Sequence, residues 1–202
     1  MTQFKTFLVY GLLSLAALIT LSKAVDSRVL DLIFVGCGLL AYALNRNESN
    51  ITSLIFILIT LRCWEIILWS TLDMRNAYIG YPMIMLLDLT ALYLIYNRNR
   101  LLAWREYHKT GQVTPHKYVY TNADYTLGLI YKCYLLITVL CFVEHFFRHT
   151  DHIGLPPAWS TPELLFFYDL SSPVKRVLNT FEFIAIMATA HHMMRTERIV
   201  QA

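Results

Sequence analysis

Long apolar stretches separated by short polar segments constrain this chain more than any other feature. A helix needs about 20 residues to cross the hydrocarbon layer of a membrane, because each residue advances it by about 1.5 Å. The stretches that approach this length cover residues 6–22, 29–44, 51–72, 79–96, 125–147 and 174–194. The sequence therefore predicts an all-α, polytopic membrane helical bundle of about six transmembrane helices, forming a single domain over residues 1–202.

Composition excludes the main alternatives. The chain is 56% hydrophobic and 15% charged, whereas soluble domains are typically about 45–50% apolar and about 25% charged. Disordered chains are still more polar. The sequence has no nucleophile-elbow, nucleotide-binding or zinc-protease motif, and no clustered basic face that would favour nucleic acid. We therefore expect a protein that is not an enzyme and whose surroundings are the lipid bilayer.

Two longer segments connect the predicted spans. Residues 97–124 form the first, in which 101–108 has the pattern of a basic amphipathic helix resting on lipid headgroups. Residues 148–173 form the second. Within it, Ser160-Thr161-Pro162-Glu163 is a typical helix start, so we predict a short interfacial helix near 161–170.

The distribution of basic residues predicts the orientation. Six spans place both termini on one side, and lysine and arginine are more frequent on that side, chiefly in the loop 97–124. The positive-inside rule then places both termini and this loop in the cytoplasm, and the loop 148–173 outside. We expect a bacterial inner-membrane protein. The first span also resembles a cleavable signal peptide, with Lys5 before its apolar core and Ser22-Lys23-Ala24 after it; its removal would leave five spans.

Ionisable residues inside the predicted spans are the most informative candidates for function, because charge is costly in hydrocarbon and normally faces a protein interior or water. The helical rise places Arg62, Asp88 and Glu182 at similar depths near the membrane midplane. Glu65 lies one turn from Arg62 and can pair with it. Lys132 lies about 10 Å from the inner face, where its side chain can extend to the interface. We predict a midplane polar cluster of these five residues.

Such a cluster has two interpretations. It forms an ion or proton path or a polar binding site, or it is an ion-pair network that fixes helix packing. A bundle of six short-looped helices has few interior positions, so a shared path favours a homo-oligomer or an accessory subunit of a larger membrane complex. The loop 97–124 as the output surface of a membrane sensor is a further alternative.

The histidines suggest a different function. His145, His149 and His152 are spaced i, i+4, i+7 and share one face if the fifth helix continues beyond Phe147. Imidazoles at this spacing bind transition metals such as Zn, Cu or Fe, which predicts a membrane metalloenzyme or redox subunit. The alternative is a polar helix end at the outer membrane surface.

Overall fold

The computed structural model describes residues 49–73, 76–112, 120–150 and 165–201, with isolated positions between 32 and 43 and at 154 and 156. Side chains in the last helix are described at 166–182, 184 and 185. The described chain forms four helices and contains no strand. We number them α1 (Ser49–Thr71), α2 (Ala77–Thr110), α3 (Asn122–Arg148) and α4 (Phe166–Gln201).

Three of these helices, α1 to α3, are long and apolar enough to cross a membrane. They match the predicted spans 51–72, 79–96 and 125–147. The predicted span 6–22 lies outside the described residues, and 29–44 lies largely outside them, although its described positions are helical. The sixth predicted span lies within α4, which is not among the three because its apolar segment is interrupted by polar residues such as Asn179 and Glu182. The protein is thus an all-helical membrane protein, and the count of six spans stays a prediction.

Helix α2 is longer than the sequence predicted. It continues without a break from the fourth predicted span through residues 97–110, so the amphipathic segment 101–108 is its last part and not a separate helix. The charged run after Tyr96 was interpreted as a helix end, but it contains neither Gly nor Pro, and Arg is a good helix former. The helix ends at Gly111, which has φ of 71° and donates its backbone N–H to the Tyr107 carbonyl.

The predicted interfacial helix near 161–170 is likewise not separate. Residues 166–170 are the first turns of α4, which runs for 36 residues with Pro173 inside it. The described part of the predicted outer loop therefore ends at Leu165. Glu144 of α3 supports the start of α4: its Oε2 accepts the backbone N–H of Tyr168 at 2.8 Å. A carboxylate at this position stabilises the unsatisfied N–H groups of a helix N-terminus.

Helix α3 is central to the packing. It lies against both α2 and α4, while α1 packs on α2 and contacts α4. Helices α2 and α3 approach closely at Gly128, where a Cβ atom would lie 2.9 Å from the Tyr96 hydroxyl. Apolar side chains of α1, α2 and α3 form part of one buried cluster, which we call the apolar layer. It includes Ile55, Leu58, Ala91, Ile95 and Leu127, each at most 2% exposed.

Candidate functional site: a polar cavity among four helices

Arg62 is the centre of an ionic cluster that joins α1 to α4. Its Nη1 donates to Glu65 Oε2 at 2.9 Å, and its Nη2 donates to Glu182 Oε2 at 2.8 Å and to Asn179 Oδ1 at 2.5 Å. Glu182 is fully buried. The Tyr134 hydroxyl of α3 donates to the same Asn179 oxygen. We call these residues (Arg62, Glu65, Tyr134, Asn179 and Glu182) the Arg62 cluster.

Asp88 lies beside this cluster but is not bonded to it. Its side chain is buried, at 7% exposure, and its Oδ2 has no hydrogen-bond partner among the described residues. No described ion pair includes it. A carboxylate that is removed from water and left without a partner destabilises the fold. Buried polar groups of this kind call for an explanation, and a functional role is one.

A cavity of about 300 Å³ lies in front of Asp88. Every described helix contributes to its wall. The polar and charged side chains that line it are Arg62, Glu65, Asp88, Tyr131, Tyr134, Ser171, Ser172, Lys175, Arg176 and Asn179, and the apolar ones are Leu61, Ile84 and Leu87. We call it the Asp88 cavity. Its volume is at the lower end of the range of about 300–1,000 Å³ that small-molecule sites occupy.

The structure thus brings together four of the five predicted cluster residues. Arg62, Glu65 and Glu182 are bonded directly, and Asp88 lines the adjoining cavity with Arg62 and Glu65. Lys132 is not part of the group. Its side chain is exposed, and its Nζ lies 5.4 Å from the centre of the Tyr96 ring.

The sequence reasoning missed the cavity residues of α4. Lys175 and Arg176 lie at the start of the predicted span 174–194, and Asn179 is not ionisable, so the prediction of a charged midplane cluster includes none of them. Their spacing contained a usable signal, since residues 175, 179 and 182 repeat at i, i+4, i+7 and therefore share one helical face. A search for uncharged polar residues on the face of Glu182 would have found Asn179.

A second buried arginine was also missed. Arg98 was assigned to the solvated loop 97–124, but it is 1% exposed. Its Nε and Nη2 each donate to a carboxylate oxygen of Asp124 at 2.8 Å, and its Nη1 donates to the Asn50 carbonyl and to Ser53 Oγ. Asp124 in turn accepts the backbone N–H of Thr121, one residue before α3. We call these residues (Arg98, Asp124, Thr121, Asn50 and Ser53) the Arg98 cluster.

The histidine site is only partly described. The rings of His145 and His149 lie 4.6 Å apart, centre to centre. Helix α3 ends at Arg148, so the helical face that was to include His152 is not continued, and His152 itself lies outside the described residues. Among the described residues, no group of three or more His, Cys, Asp or Glu side chains is arranged to hold a metal. The metal site stays a prediction, which elemental analysis of the purified protein would test.

Comparison with known proteins adds no relative from which a function could be transferred: no protein-family model, curated protein or solved structure matches the chain.

Proposed function

We propose that this integral membrane protein binds a small ion or polar solute in the Asp88 cavity, as the binding site of an ion or proton path. The observation that carries the proposal is Asp88 itself, a buried carboxylate that lines a cavity and has no partner among the described residues. A charge in this setting is costly unless something else binds to it. A ligand in the cavity supplies the missing interaction.

The lining of the Asp88 cavity includes residues from the start of α4. Ser171 and Lys175 line it near the start of α4, and Tyr131 lines it deeper in α3. The buried apolar residues Leu58, Ile95 and Leu127 of the apolar layer do not line it. Ions do not cross such a layer without a conformational change or a neighbouring subunit. We therefore favour a binding site that is loaded from one side over a permanently open pore, and with both termini in the cytoplasm that side faces outward.

Flux measurements test this function. The full chain is reconstituted in liposomes, and the flux of protons, Na⁺, K⁺ and Cl⁻ is followed under an imposed gradient. Asp88→Asn removes the charge while keeping the shape, so we expect it to abolish the flux of the transported ion. Asp169→Asn is the matched control, because Asp169 is an exposed carboxylate of α4 outside the cavity. Flux that is equal in the wild type and in Asp88→Asn contradicts the proposal.

Assembly with other subunits is the second part of the proposal. Buried apolar side chains of the three spans adjoin the Asp88 cavity within the described chain, and an additional copy or partner would supply the rest of a path. Crosslinking and mass measurement in native membranes test this. A monomer that carries flux shows that no partner is needed.

A further inference from the structure

Two opposite charges face the Asp88 cavity from different helices without forming a pair. Asp88 projects from α2 and Lys175 from α4, and both line the cavity. No ion pair or hydrogen bond between the two side chains is found in the described structure. The lining of the cavity therefore includes one acidic and one basic side chain that are not bonded to each other.

The other acidic side chains at the cavity already have a basic partner. Arg62 donates to Glu65 and to Glu182, so both carboxylates are ion-paired. A ligand therefore meets Asp88 on one wall and Lys175, with Arg176 next to it, on another. A simple cation at Asp88 is repelled by the basic residues, and a simple anion at Lys175 is repelled by Asp88.

A ligand that carries both a positive and a negative charge can bind to Asp88 and to Lys175 at the same time. Its ammonium group binds to Asp88, and its carboxylate binds to Lys175. The lining also includes the apolar side chains of Leu61, Ile84 and Leu87, which suit a short methylene chain.

We propose that the Asp88 cavity binds a small zwitterion, an amino acid whose ammonium and carboxylate groups are separated by a short aliphatic chain. This inference rests on the proposed function and names the class of solute for the same site. The Arg62 cluster is then a support: it holds α1, α3 and α4 in the positions that shape the cavity.

Isothermal titration calorimetry of the detergent-purified full chain tests the inference. The probes are glycine, γ-aminobutyrate and ε-aminocaproate, which differ in the distance between their charges, and butylamine and butyrate, which each carry one charge of γ-aminobutyrate. We expect at least one zwitterion to bind about tenfold or more tightly than either single-charge analogue, because each charged hydrogen bond contributes substantially to affinity. Asp88→Asn and Lys175→Gln each reduce that binding by a similar factor.

Controls separate loss of the site from loss of the fold. Asp169→Asn keeps the affinity, and the melting temperature without ligand shows that each variant is folded. Equal binding of butylamine or butyrate, or no binding of any zwitterion by the wild type, overturns the inference. If zwitterions do not bind but inorganic ion flux depends on Asp88, the zwitterion is wrong and the proposed function stands. If no zwitterion binds and ion flux does not depend on Asp88, both the zwitterion and the proposed function are wrong.

Discussion

The two buried arginines among the described residues are bonded in different ways. In the Arg98 cluster, the guanidinium is bonded to both oxygens of Asp124 and to groups of α1, and it also lines a second cavity of about 710 Å³. In the Arg62 cluster, the guanidinium is shared by Glu65 and Glu182, and the cavity that it lines contains Asp88, whose Oδ2 has no partner among the described residues. The clusters lie about 15 Å apart along α1 and α3.

The difference separates structural charge from functional charge. A bidentate arginine–carboxylate pair that also caps a helix holds three helices in register and leaves both carboxylate oxygens bonded. The Arg62 cluster adjoins a carboxylate that has no partner among the described residues. Burial of such a group lowers the stability of the protein, which is typical of functional sites. In the sequence alone, Arg62 and Arg98 are both arginines near apolar residues. Substitutions that distinguish the two clusters are therefore the sharpest tests.

The largest expected effect is that of Arg98→Gln. It leaves Asp124 buried without its partner, and breaking a buried ion pair in this way costs about 3–5 kcal/mol of unfolding free energy. Unfolding of the protein by SDS in mixed micelles measures the change. Arg100→Gln is the matched control, since Arg100 is two residues away and exposed. Equal stability of the two variants would show that the Arg98 cluster does not hold the helices.

Replacing both partners sharpens the comparison. Arg62→Met with Glu182→Met exchanges a buried ion pair for apolar side chains, which is often neutral or stabilising. Arg98→Met with Asp124→Met does the same in the other cluster, but it also removes the carboxylate that accepts the Thr121 N–H before α3. Loss of such a cap costs about 0.5–2 kcal/mol, so we expect this double variant to be the less stable of the two by SDS unfolding. The reverse order contradicts the assignment of Asp124.

Asp88→Asn separates function from stability. Because Oδ2 of Asp88 makes no hydrogen bond in the described structure and a buried charge without a partner is costly, we expect Asp88→Asn to leave the unfolding free energy of the protein unchanged or to raise it, while ligand binding and flux are lost. Asp124→Asn makes the same chemical change in the Arg98 cluster and should destabilise the protein far more. If Asp88→Asn is the more destabilising, Asp88 is a structural residue.

The smallest expected effect is that of Lys132→Gln. This residue was predicted to belong to the midplane cluster, yet the structure places it outside both clusters, with only the Tyr96 ring as a described charge contact. An exposed cation–π contact contributes about 0.5–1 kcal/mol, so stability should fall by no more than this and flux should stay unchanged. Loss of flux in Lys132→Gln would show that a charged residue outside both clusters is also required for flux.

The positions of the described helices were largely predictable from the sequence, but the ends of α2 and α4 were not. The predicted spans 51–72 and 125–147 agree with α1 and α3 to within three residues, because their ends coincide with the ends of the apolar stretches. Helix α2 extends 14 residues beyond the end of its predicted span, and α4 extends 8 residues before and 7 residues after its predicted span. Polarity indicates where a helix leaves the hydrocarbon, whereas only a conformational signal such as Gly111 determines where it ends.

The sequence by itself determined that this is a helical membrane protein with ionisable groups among its apolar spans, because the length of each apolar stretch and the cost of charge in hydrocarbon are local properties. It also determined the pairing of Arg62 with Glu65, which lie one helical turn apart. Only the tertiary structure decided that Arg62 reaches Glu182 and Asn179, that Arg98 is buried with Asp124, and that Asp88 is left facing a cavity with Lys175. These contacts join residues on different helices, and their formation depends on how the helices rotate and pack, which no spacing along one helix specifies.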